Sequence, residues 1–164
     1  MIYSCLGNYL NTYRDNYNFL KLSHQTNFKE LRFSFTTKER ANSINTLYDY
    51  LIKNNFENNE VISFNSIPIL FFITDLKPYR KIWNFTSSVN SLENFFLKKN
   101  FSSFPDIIYA KTDMMNKSWP EKGDIKDIKT EMYDKKIAIM KKFIKKYNYK
   151  IKWQNDSFVI MSKK

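Results

Sequence analysis

The chain has 164 residues, with 27 basic and 16 acidic side chains and a formal net charge of +11. This length suits one domain over residues 1–164, and an apolar fraction of 43% can fill a core, which argues against disorder. One cysteine excludes a disulfide framework and a cysteine-based zinc site, and two glycines exclude glycine-rich phosphate loops.

The first half of the chain predicts a strand, a helix and a hairpin. Residues 31–36 alternate between apolar and polar side chains, as in a short strand. The next residues match a capping box with Thr36 as the N-cap of a helix over residues 37–55, whose apolar side chains recur at three- and four-residue steps. Two β-branched and aromatic runs, 61–64 and 67–74, indicate a hairpin.

The second half predicts a helix after Ser87-Ser88, a strand over 106–112 and a loop over 113–123. The longest helical periodicity covers 124–148, and alternating residues then predict two strands within 149–161. We therefore expect an α+β fold: a single compact domain with helices packed on a mainly antiparallel sheet, and a long C-terminal helix followed by a β-hairpin.

Positive charge is concentrated near the end of the sequence. Residues 135–164 contain ten lysines and one acid, Asp156, whereas residues 1–134 have a net charge of +2. Lysine outnumbers arginine 23 to 4, which indicates an AT-rich gene, but codon drift would spread lysine evenly along the chain. The candidate binding residues lie on the long helix and the strand after it: Lys135, Lys141, Lys142, Lys145, Lys146, Lys150, Lys152 and Trp153.

Two interpretations of these lysines remain open. A solvated helix surface explains them without a ligand, because acids near the N-terminus and lysines near the C-terminus suit the helix dipole. A contiguous cationic surface would instead bind a phosphate backbone in a salt-dependent way, and the scarcity of arginine argues against base-specific readout.

The leading hypothesis is a small non-enzymatic protein that binds nucleic acid or a nucleoprotein complex. The AT-rich coding points to a phage or other mobile element, where such a protein would act as an inhibitor of host defence. An acidic protein surface is the alternative partner. We expect no cofactor. No targeting segment is recognised, and no apolar run has the length of a membrane span, so the expected location is the cytoplasm.

Enzymatic chemistry has few candidates in this sequence. His24 is the only histidine, which excludes His-pair metal sites, and nothing in the sequence positions Cys5 beside it. Pro105-Asp106 and the later Asp124-Ile125-Lys126 resemble the signature of the PD-(D/E)xK nuclease superfamily. That resemblance implies two carboxylates on Mg²⁺ and a lysine that orients the attacking water. In that superfamily the second motif lies on a strand, whereas here it begins a predicted helix. On the strength of the motif resemblance, the alternative function is a Mg²⁺-dependent nuclease.

Overall fold

The computed structural model describes residues 22–31, 35–64, 70–81, 89–98, 101, 103–111 and 131–163. Within these ranges the elements are β1 (His24–Gln25), β2 (Phe35–Thr36), α1 (Lys38–Lys53), β3 (Glu60–Ser63), α2 (Leu70–Ile73), β4 (Lys77–Pro78), α3 (Val89–Glu93), β5 (Asp106–Ala110), α4 (Glu131–Lys146), β6 (Tyr149–Gln154) and β7 (Phe158–Lys163). Two 3₁₀ turns lie at Lys29–Leu31 and Tyr79–Lys81, and a π-helical segment, Asn94–Lys98, continues α3. The α+β fold and the helix followed by a C-terminal hairpin are confirmed.

The main sheet has five strands in the order β4-β3-β5-β7-β6. Strand β3 runs parallel to both β4 and β5, and β7 pairs antiparallel with β5 and β6. The antiparallel ladders are the longer ones, so the sheet is mainly antiparallel, as predicted. Strands β1 and β2 form a separate antiparallel pair.

Helices cover both faces of the main sheet, and each face has its own hydrophobic cluster. One face packs against α3 and α4, through residues such as Ile62, Ile107 and Phe143. The other packs against α1 and α2, through residues such as Leu51 and Ile108. Because neighbouring residues in a strand point to opposite faces, the central strand β5 is buried on both sides and supplies apolar residues to both clusters.

Helix α1 begins one residue later than the capping box predicts. Thr37, not Thr36, is the N-cap: its backbone is extended, and its side chain accepts a hydrogen bond from the backbone N–H of Arg40 at 3.4 Å. Thr36 instead pairs with His24 in the small sheet. Only Thr36 has a glutamate three residues later, but either threonine can serve as an N-cap, and the pairing of Thr36 with β1 leaves Thr37 in that position.

The hairpin predicted over residues 61–74 is wrong. Strand β3 forms as expected, but it pairs in parallel with β4 and β5, and Leu70–Ile73 forms the single helical turn α2. Thr74 ends that turn, because its hydroxyl donates to the carbonyl of Leu70 at 2.7 Å and accepts from the N–H of Leu76 at 3.3 Å. A short apolar run has no period that separates a strand from a buried helical turn.

A short connection joins α4 to the hairpin. Asn148 lies between them with φ 55°, a left-handed conformation that asparagine tolerates better than most residues, so β6 begins directly after the helix. At the tip of the hairpin, the Asn155 side-chain amide donates to the carbonyl of Ser43 and to the hydroxyl of Thr46, each at 2.8 Å. The hairpin is thereby attached to α1.

The outer strands of the sheet are irregular. Ile151 pairs with Met161 and Trp153 pairs with Ile160, which leaves Lys152 as an extra residue in a β-bulge. At the opposite edge, β4 is only two residues long and includes Pro78, which has no N–H to donate.

Some predicted elements fall outside the described residues. They are the cap at Ser87-Ser88, the loop over 113–123, and residues 124–130 of the predicted long helix. No helix in the described parts of the chain is long and apolar enough to cross a membrane.

Candidate nucleic-acid interface

The candidate lysines of α4 lie on the side of the helix that faces away from the sheet. Ile139, Met140 and Phe143 are buried against the sheet, whereas the five predicted lysines of the helix are all exposed. We call these five the lysine face: Lys135, Lys141, Lys142, Lys145 and Lys146. This division follows from the helical period of 3.6 residues. Lys136 lies among the inward-facing residues and is buried, which the same period also predicts.

Three residues of the lysine face have no side-chain partner within the part of the chain that the structure describes. Among the residues that the structure describes, Lys141, Lys142 and Lys145 make no ion pair or side-chain hydrogen bond. Lys146 differs, because its Nζ donates to the carbonyl oxygen of Leu97 at 2.9 Å. The lysine face therefore carries several exposed ammonium groups that no carboxylate of the described residues neutralises.

Lys150 and Lys152 do not continue the lysine face. Lys150 of β6 pairs with Ser162 of β7, and the Ser162 hydroxyl donates to Asp106 of β5. Asp106 in turn pairs with Val61, which belongs to the hydrophobic cluster beneath α1. Residues paired across strands share one face of a sheet, so both lysines project from the face opposite to α4. The contiguous cationic surface that the second interpretation requires therefore does not extend from the helix to the strand, because the sheet separates the two groups of lysines.

Lys152 is also partly neutralised. Its Nζ lies 3.8 Å from a carboxylate oxygen of Asp106 and 4.9 Å from the ring centroid of Phe56. An ion pair of this kind at a partly exposed site stabilises a protein only slightly. It does, however, lower the positive charge that Lys152 offers to a ligand.

Trp153 lies on the same side as Lys152. The β-bulge rotates it onto the α1 face, where it stacks on Tyr50 with ring centroids 4.9 Å apart and planes 22° apart. Trp153 is half-buried and packs against the hydrophobic cluster beneath α1. One of its ring faces is thus already used, and the structure does not bring it to the lysine face.

Asp106, the first carboxylate of the nuclease-like pattern, begins β5. It accepts a hydrogen bond from Ser162 at 2.5 Å and pairs with Lys152. Burial raises the pKa of the nearby Tyr50 hydroxyl, and the negative charge of Asp106 adds to that effect. Asp124 and Lys126 lie outside the described residues, as does Cys5. Among the described residues there is no group of three acidic, histidine or cysteine side chains that could hold a metal.

His24 occupies a different part of the molecule. It is exposed on β1, and its Nδ1 lies 3.1 Å from the Ser23 hydroxyl. Its neighbours in the small sheet are Thr36 and Phe35, on the strand that precedes α1. The described contacts give His24 a hydroxyl neighbour and no acidic or metal-binding partner.

A group of aromatic and cationic residues lies beside the C-terminal end of α4, and sequence reasoning missed most of it. We call it the cation–aromatic cluster: Arg80, Phe101, Phe104, Lys146, Tyr147 and Lys163. The three rings contact one another, with centroids 4.9 Å apart for Phe104 and Tyr147 and 5.9 Å apart for Phe101 and Phe104. Its members come from distant parts of the sequence, so no local spacing announces them.

No known protein family, curated protein or solved structure matches the chain.

Proposed function

We propose that the protein is a non-enzymatic binding protein that engages the phosphate backbone of nucleic acid through the lysine face of α4. The observation that carries this proposal is the row of exposed ammonium groups at Lys141, Lys142 and Lys145, which have no partner among the described residues. Binding of this kind releases counterions and is largely independent of base sequence.

The arrangement of these lysines is unfavourable without a ligand. Lys141 and Lys145, like Lys142 and Lys146, are separated by four residues and so lie beside each other on the helix surface. Like charges at this spacing destabilise a helix by about 0.2–0.5 kcal/mol per pair. The helix dipole offsets part of that cost near the C-terminus. A polyanion along the helix would remove the repulsion and add attraction.

The length of the lysine face also suits a polymer. Lys146 lies eleven positions after Lys135, which corresponds to about 16 Å along the axis of an α-helix. A row of that length can contact several successive phosphates, whereas a single small anion would use only one or two of the lysines. The position of the row on an outer layer of the fold leaves it open to a long ligand.

Salt dependence of binding tests the proposal. The test variant carries Lys141→Gln, Lys142→Gln and Lys145→Gln, which removes three charges from the lysine face. The matched control carries Lys29→Gln, Lys53→Gln and Lys77→Gln, which removes three charges from exposed positions elsewhere. Fluorescence anisotropy of a labelled oligonucleotide over a salt series gives the slope of log Kd against log salt for each protein.

Each lost phosphate contact reduces that slope by about 0.9 for duplex DNA, so the test variant should lose nearly three units. The control should keep the wild-type slope, because its lysine face is intact. Its net charge equals that of the test variant, so a difference between the two slopes reports the position of the lost charges and not their number. Equal slopes for all three proteins, or no binding by the wild type, would overturn the proposal.

The other interpretations predict different outcomes. Affinity for an acidic protein with none for naked oligonucleotides would identify a protein-binding module. Mg²⁺-dependent cleavage that is lost in Asp106→Ala would identify a nuclease. Inhibition of a host nucleoprotein machine by a phage or mobile-element protein would require capture of that machine in a pull-down, and the same lysine variant should abolish the capture.

A further inference from the structure

The cation–aromatic cluster is continuous with the lysine face. Lys146 belongs to both, because its Nζ lies 5.0 Å from the ring centroid of Tyr147. The Tyr147 ring then contacts Phe104, and Lys163 Nζ lies 3.4 Å from the Phe104 centroid. A ligand that follows the ammonium row toward the C-terminal end of α4 therefore reaches a group of aromatic rings.

The cations of this cluster rest on rings. Besides Lys146 and Lys163, Arg80 places its guanidinium carbon 5.6 Å from the centroid of Phe101. All three cations are exposed, and none has a carboxylate partner among the described residues. An exposed cation on a ring face is held only weakly by the ring, so a flat base can take its place while the cation moves to a phosphate. Lys146 would exchange its hydrogen bond to the Leu97 carbonyl for one to the phosphate.

The backbone conformation at Arg80 supports a specific role for this side chain. Its φ of 52° and ψ of 32° lie in the left-handed region, which a residue other than glycine, asparagine or aspartate rarely adopts. The guanidinium carbon lies 5.3 Å from the ring centroid of Tyr79 and 5.8 Å from that of Phe95, as well as near Phe101. Such a strained residue persists only where its surroundings hold it, and these residues occur often at ligand sites.

The geometry favours a single strand over a duplex. Phe104 and Tyr147 are only partly buried, so part of each side chain is open to solvent. Bases of a duplex are stacked on one another and cannot offer their faces to these rings, whereas unpaired bases can. Cationic tracking of a backbone beside aromatic stacking is the usual combination in proteins that bind single strands.

We propose that the cation–aromatic cluster stacks the bases of single-stranded nucleic acid on Phe104 and Tyr147 while Arg80, Lys146 and Lys163 contact its phosphates. This inference rests on the proposed function and makes it narrower: it assigns unpaired DNA or RNA as the ligand of the same surface.

The test compares single strands with a duplex of the same sequence. The ring variant carries Phe104→Leu and Tyr147→Leu, which keep apolar volume and remove the aromatic faces. A matched control carries Tyr48→Leu, a change of another half-buried ring, in contact with Phe28. A conservative variant, Phe104→Tyr with Tyr147→Phe, keeps both rings. Labelled oligothymidylate, oligouridylate and a mixed-sequence duplex are the probes, and anisotropy gives each Kd.

We expect the Kd of the ring variant for both single strands to rise about tenfold for each ring removed. Its Kd for the duplex and the dependence of Kd on salt should not change. The Tyr48 control and the conservative variant should match the wild type. Tighter binding of oligouridylate or of oligothymidylate by the wild type would identify RNA or DNA as the preferred strand, and either result supports the proposal.

Equal wild-type affinity for single strands and duplex, with no effect of the ring variant, would overturn this inference and leave the proposed function standing. No binding of any probe would overturn both. If the ring variant fails to fold, photo-crosslinking of a bromouracil-containing strand to the wild-type protein tests the inference instead. Crosslinks at the peptides that contain Phe104 or Tyr147 support the inference, and crosslinks confined to other peptides overturn it.

Discussion

Asn155 holds the C-terminal hairpin to α1, and its replacement gives a sharp test of the fold. Its amide nitrogen donates to the carbonyl of Ser43 and to the hydroxyl of Thr46, each at 2.8 Å. Its side-chain oxygen accepts from the N–H groups of Ser157 and Phe158, at 2.9 and 2.7 Å. One side chain thus forms the turn between β6 and β7 and connects that turn to the helix.

Asn155→Ala removes all four hydrogen bonds. A typical intramolecular hydrogen bond contributes about 0.5–1.5 kcal/mol net, and two of the freed groups are backbone N–H groups in a partly buried turn. We therefore expect the free energy of unfolding to fall by about 2–4 kcal/mol. That loss is a large share of the stability of a typical small domain, which is about 5–15 kcal/mol.

Asn155→Asp separates the two functions of this side chain. An aspartate keeps the oxygen that accepts from the turn, but it replaces the donor to α1 with a second acceptor that faces the Ser43 carbonyl. We expect it to lose the helix attachment and to retain the turn.

Urea denaturation followed by tryptophan emission measures these effects, since Trp153 lies close to the turn and stacks on Tyr50. Gln154→Ala is the matched control, because Gln154 is the exposed neighbour of Asn155. A loss below about 0.5 kcal/mol for Asn155→Ala, within the range of ordinary surface substitutions, would refute the reasoning.

Three further predictions concern the core, a helix cap and alkaline stability. Phe143→Ala removes a fully buried ring from the sheet side of α4 and should lower the free energy of unfolding by about 3–5 kcal/mol in urea denaturation, whereas a loss below about 1 kcal/mol would contradict its place in the core. Thr37→Ala should cost about 1 kcal/mol in thermal unfolding and Thr36→Ala less, and the reverse order would contradict the observed N-cap. Burial raises the pKa of the Tyr149 hydroxyl, which donates to the carbonyl of Pro105. Because the unfolded chain ionises near pH 10 while the folded chain keeps the proton, stability should fall above that pH, and Tyr149→Phe should reduce the fall by about 1.4 kcal/mol per pH unit. Parallel pH profiles of the two proteins would contradict this.

Much of the fold could be predicted because local patterns and tertiary packing agree. The apolar period of α4 gives both its helical state and its exposed lysines, and the alternation after Tyr149 gives the hairpin. The segment Leu70–Ile73 could not be assigned in this way, since four consecutive apolar residues fit a strand and a helical turn equally well. Its state depends on packing against residues distant in sequence.

The candidate site was only partly predictable for a related reason. Alternation implies that Lys150 and Lys152 share a face of β6, but only the pairing of β6 with β7 tells which face α4 covers. The bulge at Lys152 then moves Trp153 to the side away from α4. Arg80 and Phe104 join the site from distant segments, and no local period could have indicated their proximity to Lys163 or Tyr147.

The irregular outer strands of the sheet have a consequence for self-association. A regular, flat edge offers its free N–H and C=O groups to another copy and can seed fibrils. The edge strand β4 is two residues long and ends in Pro78. The other edge strand, β6, is bent by the bulge at Lys152 and also carries the charge of Lys150. A second molecule would meet a missing donor at one side and electrostatic repulsion at the other. For an aromatic-rich chain, these features disfavour edge-to-edge pairing between copies.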